Sequence, residues 1–267
     1  MNPNVAIIIS NYNYGPYVMS AIESALDQDY DGKIRVYVLD DGSSDDSWEK
    51  ISSITDPIKE EEIQTPYYSG PIEKRVRDNV YAYKINNSGA STARNVAIWE
   101  AWEWADIFGI LDADDTYKKQ KTKILVEKLL EYEEVGVAYG DYEIHKFING
   151  EPLYIKHELK TSYGREVLMS KCVVHSGSLI KKKYLQQIVI PTNSELFDSR
   201  LHGPGSKNFI GCTEDYDLWL RLSKVCMITH VPQILSTVRE TGQNQSMKMT
   251  TEIFNNNKQI LSESARE

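Results

Sequence analysis

Short apolar runs alternate with helical patterns through the first 115 residues, and this alternation constrains the fold more than any other feature of the chain. The runs with the length and composition of strands are Val5–Ser10, Ile34–Asp40, Val80–Asn86 and Ile107–Leu111. Strands that alternate with helices in this way predict a parallel, doubly wound sheet. We therefore expect an α/β fold in which an open, mostly parallel sheet carries helices on both faces.

Helical patterns fill the gaps between these strands. One pattern runs to about Gln28, and another covers Thr92–Asp106. Between them, Ser44 is a suitable N-cap, because the two aspartates that follow it would stabilise the first turn of a helix. The polar segment Asp56–Arg77 is longer than a tight connection needs, so we expect a surface insertion there.

The alternation changes after residue 115. The later predicted elements are a helix over Gln120–Glu134, a hairpin of Val137–Ile148 and Glu151–His157, a strand over Val173–Ile180 and a helix over Glu214–Val225. Asn149-Gly150 between the two hairpin strands is typical of a type I′ turn. The polar tail from Met247 onward is predicted to be partly helical. This second part is predicted to be a mixed α/β half joined continuously to the first.

The charge and the apolar segments bound the partners of the chain. Its net charge of −9 disfavours nucleic acid and anionic membranes as main partners. Val5–Ile9, the longest apolar stretch near the N-terminus, is far too short to span a membrane, and no leader-like segment precedes it. We therefore expect a cytoplasmic protein without a membrane span. Peripheral association with a membrane is compatible with this composition. Cys172, Cys212 and Cys226 lack close pairing and are predicted to be reduced thiols.

Acidic residues follow two of the predicted strands. Asp40 and Asp41 end the second strand, and Asp112, Asp114 and Asp115 end the fourth. Ligands of open parallel sheets bind outside the carboxyl ends of the strands, so both clusters are expected at one crevice. Turn chemistry alone also explains such residues, but two acidic clusters at one edge would repel each other without a cation. Oxygen ligands of this kind favour Mg²⁺ or Mn²⁺.

The usual glycine-rich phosphate loops are missing from the first strand. Neither GxxxxGK[ST] nor GxGxxG follows it. A metal ion on Asp112-Ala113-Asp114 would take over the contact with phosphate and would neutralise charge on a departing diphosphate.

Five motifs in a fixed order resemble the family 2 inverting glycosyltransferases, which have the GT-A fold. The resemblance extends over roughly residues 4–246. The motifs are Ile7-Ile8-Ile9-Ser10-Asn11-Tyr12-Asn13, Leu39-Asp40-Asp41-Gly42-Ser43, Asn87-Ser88-Gly89-Ala90-Ser91-Thr92-Ala93-Arg94-Asn95, Leu111-Asp112-Ala113-Asp114-Asp115 and Glu214-Asp215-Tyr216-Asp217-Leu218-Trp219-Leu220-Arg221. The resemblance implies metal-assisted transfer of a sugar from a nucleoside-diphosphate donor, UDP above all, to a glycan or other hydroxyl acceptor.

The same resemblance implies an organisation of the chain. Residues 1–115 would form the half that binds the nucleotide sugar, and residues 116–246 a smaller, mixed acceptor-binding half of the same GT-A domain. Residues 247–267 would be a C-terminal tail. The QxxRW motif of processive synthases is absent, which favours the addition of one sugar per encounter.

The resemblance also implies roles for single residues. Those implied to bind the donor are Ser10, Asn11, Asn13, Asp40, Asp41, Arg94, Asp112 and Ala113. Asp114, with Asp112 in the metal shell, would bind Mn²⁺ or Mg²⁺, and Asp215 would be the general base. Read from the residues alone, the two asparagines are also good turn formers, and Arg94 is as well explained by an ion pair. Asp215 also suits the first turn of a helix.

One position departs from the family pattern. Many relatives carry a late histidine that completes the metal or diphosphate site, and Thr241 stands there in this chain. Two other functions compete with glycosyl transfer. A sugar-phosphate nucleotidyltransferase would need basic residues after the first strand, and Ser10–Tyr17 contains no Lys or Arg. A non-catalytic nucleotide-sugar-binding protein would not need the acidic motifs.

Overall fold

One eleven-stranded sheet extends through the part of the chain that the structure describes. The computed structural model describes residues 2–58, 65–148, 151–157, 164–189, 195–199, 201, 213–241, 260–262 and 264–266. The strands are β1 Val5–Asn11, β2 Ile34–Asp40, β3 Asp56–Pro57, β4 Glu73–Arg77, β5 Val80–Lys84, β6 Ile107–Asp112, β7 Thr116–Tyr117, β8 Val135–Ile148, β9 Glu151–His157, β10 Leu179–Lys181 and β11 Met227–Glu240. The helices are α1 Val18–Leu26, α2 Ser47–Ser53, α3 Ala90–Ala101, α4 Lys121–Glu131, α5 Arg165–Ser170, α6 Lys182–Leu185 and α7 Glu214–Leu222.

The sheet has a parallel centre and antiparallel additions. Its order is β3-β4-β5-β2-β1-β6-β10-β8-β11-β7, and β9 pairs with β8 outside this path. Strands β5, β2, β1 and β6 are all parallel to their neighbours in this run. Strand β10 is antiparallel to both β6 and β8, whereas β8 and β11 are parallel to each other. The expected doubly wound α/β architecture is confirmed, with a mixed second half.

The alternation of side chains along β1 separates two apolar cores. Ala6 and Ile8 point into a core that contains α3 and α7 residues, while Ile7 and Ile9 point into a core that contains residues of α1 and α4. Successive side chains of a strand point to opposite faces, so a buried central strand is apolar at every position. Helices therefore cover both faces of the sheet, as expected.

The segment predicted as a surface insertion extends the sheet instead. Strand β4 pairs antiparallel with β5, and β3 pairs with β4 at the end of the sheet. The side chains of β4 are exposed or partly exposed, and several are charged. Charged side chains close to the edge of a sheet discourage pairing with other chains, and the polar composition of β4 made this segment look like a loop.

Two other predictions from local pattern were wrong. Helix α2 begins after Asp46, not Ser44, because the Ser44 amide donates a 2.8 Å hydrogen bond to Asn13 Oδ1. The strand predicted over Val173–Ile180 is confined to β10. Before it, the Gly177 amide donates to His175 Nδ1 at 2.9 Å, and such local side-chain bonds compete with strand pairing.

The later elements agree better with the predictions. Strands β8 and β9 pair from Tyr142↔His157 to Ile148↔Glu151, so the hairpin is confirmed, although its turn residues 149–150 lie outside the described ranges. Residues 260–262 and 264–266 are helical, and Leu261 is buried in the core that contains α7. Within the described ranges, every helix is too short or too polar to span a lipid bilayer.

Candidate active site

The carboxyl ends of three adjacent strands bring the first group of predicted residues together. Ser10 lies beside Asp112 in the β1–β6 pairing, and Asn11 lies beside Asp40 in the β1–β2 pairing. Ala113, directly after β6, is buried. The predicted donor residues at these strand ends therefore line one edge of the sheet.

Asn11 and Asp40 brace the loops that follow β1 and β2. Asn11 Nδ2 donates to Asp40 Oδ2 at 2.8 Å, and Asp40 Oδ1 accepts the Ser43 amide at 3.0 Å. Both side chains are buried, with exposures of 1% for Asn11 and 0% for Asp40, so they act first on loop geometry. Asn13 strengthens the brace: its Oδ1 accepts the Ser44 amide, and its φ of 59° is one that asparagine tolerates well.

Asp41 holds the N-terminus of α3. Its two carboxylate oxygens accept the amides of Ser88 at 2.6 Å and Gly89 at 2.8 Å. Gly42 has a φ of +72°, and a Cβ there would lie 2.6 Å from the Asn87 nitrogen. Only glycine lets the two loops approach so closely. This contact positions α3 and, one turn further along, Arg94.

Arg94 joins an acid of the donor side to an acid of α7. Its Nη2 donates to Asp112 Oδ1 at 2.9 Å, and its Nη1 donates to Glu214 Oε1 at 2.6 Å. The guanidinium also lies 5.3 Å from the centre of the Phe197 ring. Burial disfavours its charge, but the two carboxylates outweigh this effect and raise the pKa of Arg94. Arg94 is therefore a fixed cation between the two halves of the crevice.

Ser176 holds the other side of Asp112. Its hydroxyl donates to Asp112 Oδ2 at 2.6 Å, so both carboxylate oxygens are engaged. Ser176 was not among the site residues predicted from the sequence. The triplet Ser176-Gly177-Ser178 within an apolar run is a turn signal that would have indicated a loop there.

A buried polar cluster supports this turn. Lys121 is fully buried, donates to the hydroxyl of Ser236 and lies 3.9 Å from the centre of the Tyr117 ring. Burial lowers the pKa of Lys121 to about 7. Burial and the neighbouring Lys121 lower the pKa of His175 to about 3, so its ring is neutral. His175 Nδ1 accepts from the Gly177 amide, and Nε2 therefore carries the proton and donates to the Gly140 carbonyl at 2.8 Å.

Asp114 and Asp115 are crowded by one another and by the surrounding protein. Burial and the neighbouring Asp112 raise the pKa of Asp114 to about 7, although a hydrogen bond from Tyr14 opposes this. Burial and Asp114 raise the pKa of Asp115 well above its usual range. Arg239 of β11 lies against both acids: its amide donates to Asp115 Oδ1 at 3.0 Å, and its Nη1 donates to the Asp114 carbonyl at 3.3 Å. The pKa values of both acids stay raised although the charge of Arg239 opposes the shift.

The described residues contain no cluster of three or more acidic, histidine or cysteine side chains that would hold a metal ion by themselves. Mg²⁺ commonly uses only one or two protein carboxylates together with phosphate and water. Asp114 fits this kind of site, because it is a buried carboxyl whose ionisation is suppressed by neighbouring acids. Asp112 fits less well, since Arg94 and Ser176 already occupy its oxygens. Thr241 directly follows the end of β11.

Asp215 lies in the first turn of α7, next to Glu214. Burial and the charge of Glu214 raise the pKa of Asp215 to about 7, while Arg94 opposes them. Across the described ranges, Asp215 forms no salt bridge. Thr213 is the N-cap residue of α7, yet its side chain makes no capping hydrogen bond. A carboxyl with these properties is suited to accept a proton near neutral pH.

The parallel sheet centre, the helices on both faces and the acidic residues at the strand ends together define a GT-A glycosyltransferase fold. The chain belongs to glycosyl transferase family 2, whose family model matches residues 6–188.

The chain is similar to several bacterial proteins of this kind. It is 31% identical over 135 residues to an uncharacterised glycosyltransferase of Nostoc sp., a match that covers 51% of this chain and 35% of the relative. It is 30% identical over 143 residues to the Escherichia coli UDP-Glc:alpha-D-GlcNAc-diphosphoundecaprenol beta-1,3-glucosyltransferase WfaP, with 53% of this chain and 47% of the relative covered. The chain thus matches less than half the length of either relative.

Solved structures of TarS from S. aureus share the fold. TarS 1–349 in complex with UDP superposes with a TM-score of 0.66 at 14% identity, which covers 98% of this chain and 65% of TarS 1–349. The complex with UDP-GlcNAc gives the same TM-score and identity and covers 96% of this chain and 65% of TarS 1–349. At this identity the likeness concerns the fold alone.

Proposed function

We propose that this chain transfers a single sugar from a UDP-linked donor to a hydroxyl group of a glycan or other acceptor, with inversion at the anomeric carbon. The observation that carries the proposal is the bridge from Asp112 through Arg94 to Glu214, the residue next to Asp215. This bridge ties the strand end expected to bind the donor to the helix expected to carry the base. Donor and acceptor would thus meet within one crevice.

The choice of UDP rests on the relatives. The TarS structures hold UDP and UDP-GlcNAc, and the name of the E. coli relative specifies UDP-Glc. In the present chain, the braced loops at Asn11 and Asp40 would form the nucleoside side of the crevice.

Asp114 is the residue we propose for metal binding. A bound Mn²⁺ or Mg²⁺ would supply positive charge to the departing diphosphate. Asp114 would hold the ion through one carboxylate, while Asp112 stays oriented by Arg94 and Ser176 toward the donor. Arg239, which lies against the acidic loop, adds a protein cation near the same place.

Asp215 is the residue we propose as general base. Its carboxylate would take the proton of the acceptor hydroxyl while the hydroxyl oxygen bonds to the anomeric carbon. The bond from that carbon to the diphosphate oxygen would break on the opposite face, which inverts the configuration. A general base of this kind typically contributes 10²–10⁴-fold to the rate.

The test is turnover of UDP-sugars with Mn²⁺ by the wild type and by Asp215→Asn. We expect a product of inverted configuration, and we expect Asp215→Asn to bind UDP normally but to lose about 10²–10⁴-fold in turnover. A retained configuration would contradict the mechanism. Release of pyrophosphate from UTP and a sugar phosphate would indicate the nucleotidyltransferase instead. Donor binding without any metal-dependent hydrolysis or transfer would indicate a non-catalytic binding protein.

A further inference from the structure

Arg94 forms salt bridges with two acids but not with the third acid near it. Asp112 and Glu214 each accept one of its two terminal nitrogens, at 2.9 and 2.6 Å. Its side chain is only 8% exposed and Glu214 only 4%, so neither partner can turn out into solvent. The ring of Phe197 below the guanidinium further restricts it. Arg94 therefore has one fixed position.

Asp215 is the acid that Arg94 leaves without an ion pair. Within the described part of the chain, the groups that act on its carboxyl are Glu214 on its own helix, Arg94 on α3, Asp112 at the end of β6 and the Cys172 thiol. Arg94 is the only cation among these groups, and both of its terminal nitrogens point to other carboxylates. The charge of Arg94 thus lowers the pKa of Asp215, although the two side chains form no salt bridge.

The buried ion pair of Arg94 and Glu214 carries a desolvation cost that its own hydrogen bonds do not fully offset. Glu214 Oε2 and Arg94 Nε are both buried without a hydrogen-bond partner in the described part of the chain. Buried ion pairs repay their desolvation only when their remaining polar atoms are satisfied. The benefit of this pair therefore lies in where it holds the positive charge.

We propose that Glu214 is a positioning residue that holds the Arg94 guanidinium away from Asp215 and so keeps the proposed base free of a salt bridge. The inference rests on the proposed function of Asp215. A carboxylate paired with arginine is a weaker base, because the cation stabilises its ionised form. Glu214 and Asp112 each hold one terminal nitrogen of Arg94, and without them the guanidinium could pair with Asp215 and weaken the base.

The direct test is a titration of the Asp215 carboxyl by carbon-13 NMR in the full chain without ligands. In Glu214→Gln the side chain keeps its shape but loses its charge, so Arg94 is free to pair with Asp215. We expect the measured pKa of Asp215 to fall by about 1 or more, because the Glu214 charge that raises it is lost and because a new opposite charge within reach lowers a carboxyl pKa by about 1–3. An unchanged or raised pKa would overturn the proposal.

Two further variants separate this effect from general electrostatics. Glu166→Gln makes the same change at an exposed glutamate of α5, and it should leave the titration of Asp215 unchanged. Glu214→Asp keeps the charge but shortens the reach to Arg94, so it should also lower the pKa of Asp215. Because the charge is kept, this variant separates the movement of Arg94 from the loss of the Glu214 charge, and it also serves as the test if Glu214→Gln does not fold. A titration of Glu214→Asp identical to that of the wild type would contradict the proposed diversion of Arg94.

The kinetic consequence should follow the titration. The acid limb of the pH–rate profile of Glu214→Gln should move to lower pH, and turnover on its plateau should fall about three- to tenfold, since basicity lowered by one pKa unit costs at most tenfold. The donor KM should stay the same. The NMR result does not depend on turnover: if Asp215→Asn retains full activity, the proposed function fails, whereas an unchanged titration in Glu214→Gln refutes only the role of Glu214.

Discussion

At the scale of single residues, the acidic residues of the candidate site differ mainly in the groups that contact their carboxylates. Asp41 accepts two backbone amides, and Asp112 accepts one arginine and one hydroxyl. Asp114 and Asp215 instead have raised pKa values, caused first by burial and then by neighbouring acids. The contacts of Asp41 and Asp112 fix their carboxylates, whereas Asp114 and Asp215 are the residues that we propose for metal binding and for proton transfer.

The raised pKa of Asp215 predicts a stability effect with a definite sign. Its folded-state pKa of about 7 exceeds the unfolded value of about 3.9, so its contribution to stability is complete below about pH 4 and is lost as the pH rises through 7. Asp215→Asn removes this loss. We expect the variant to unfold at a higher temperature than the wild type at pH 8.5, with a gain of at least about 1 kcal/mol, and to show no gain at pH 4.

Thermal unfolding across this pH range is the measurement. Asp217→Asn is the matched control on the same helix, since it breaks the ion pair with Arg221. It should destabilise the protein at both pH values. A pH-independent effect of Asp215→Asn would show that its carboxyl is not held in the protonated form.

The crowding of Asp114 predicts a metal-dependent donor site. Bare carboxylates repel a diphosphate, so UDP should bind weakly in the presence of a chelator and at least about tenfold more tightly with Mn²⁺. Asp114→Ala should abolish the gain from Mn²⁺ and leave the weak binding in place. Calorimetry of UDP binding measures both. Asp27→Ala, at an exposed acid paired with Lys119, is the control and should behave as the wild type. Equal UDP affinity with and without metal in the wild type would refute a metal role.

At the scale of elements, a turn precedes β10 where the sequence predicted a continuous strand. It presents Ser176 to Asp112, while His175 and Lys121 fill the space beneath it. A Cβ on Gly177 would lie 2.5 Å from His175 Cε1 and 2.7 Å from Lys121 Nζ. The turn therefore requires glycine because of close packing.

Gly177→Ala should disturb both the turn and the crevice. Overpacking of this kind costs about 1–3 kcal/mol, so the unfolding temperature should fall. UDP affinity should fall as well, because Ser176 moves with the turn. Gly164→Ala is a matched control, since its Cβ would meet only Val167, at 3.8 Å. Ser176→Ala should weaken UDP binding without the loss of stability. Normal UDP binding by both Gly177→Ala and Ser176→Ala would show that the turn does not contribute to UDP binding.

At the scale of the whole molecule, the end of the chain supports the helix that carries Asp215. Leu261 is 6% exposed and belongs to the same core as Leu218 and Trp219 of α7. Ser264 donates a hydrogen bond to Asp217 on the same helix. The polar tail predicted from the sequence therefore contributes to the core that contains α7.

Leu261→Ala should reveal this contribution. Removing a buried leucine side chain costs about 2–5 kcal/mol, whereas Leu130→Ala, at a position that is 56% exposed, should change stability little. Denaturant unfolding gives both values. Turnover of Leu261→Ala should fall with temperature before that of Leu130→Ala does. Equal stability of the two variants would mean that the terminal helix does not pack in solution.

The sequence by itself determined the central strands and the placement of acids at their ends. The buried parallel strand β1 is apolar from Val5 to Ile9, β2 is apolar from Val36 to Leu39, and both end at polar residues, so local composition is enough to locate them. The predictions for β4 and for the turn at Ser176 were wrong. The polar composition of β4 indicates a loop, whereas the apolar residues around Ser176 indicate a strand.

Only the tertiary structure decided which side chains meet in the crevice. Ser176 lies 64 residues from Asp112, and Glu214 lies 120 residues from Arg94. No local pattern encodes such pairs, because their geometry depends on how β10 and α7 pack against the central sheet. The same packing sets the desolvation of Asp114 and Asp215, and with it the raised pKa values on which their proposed roles depend.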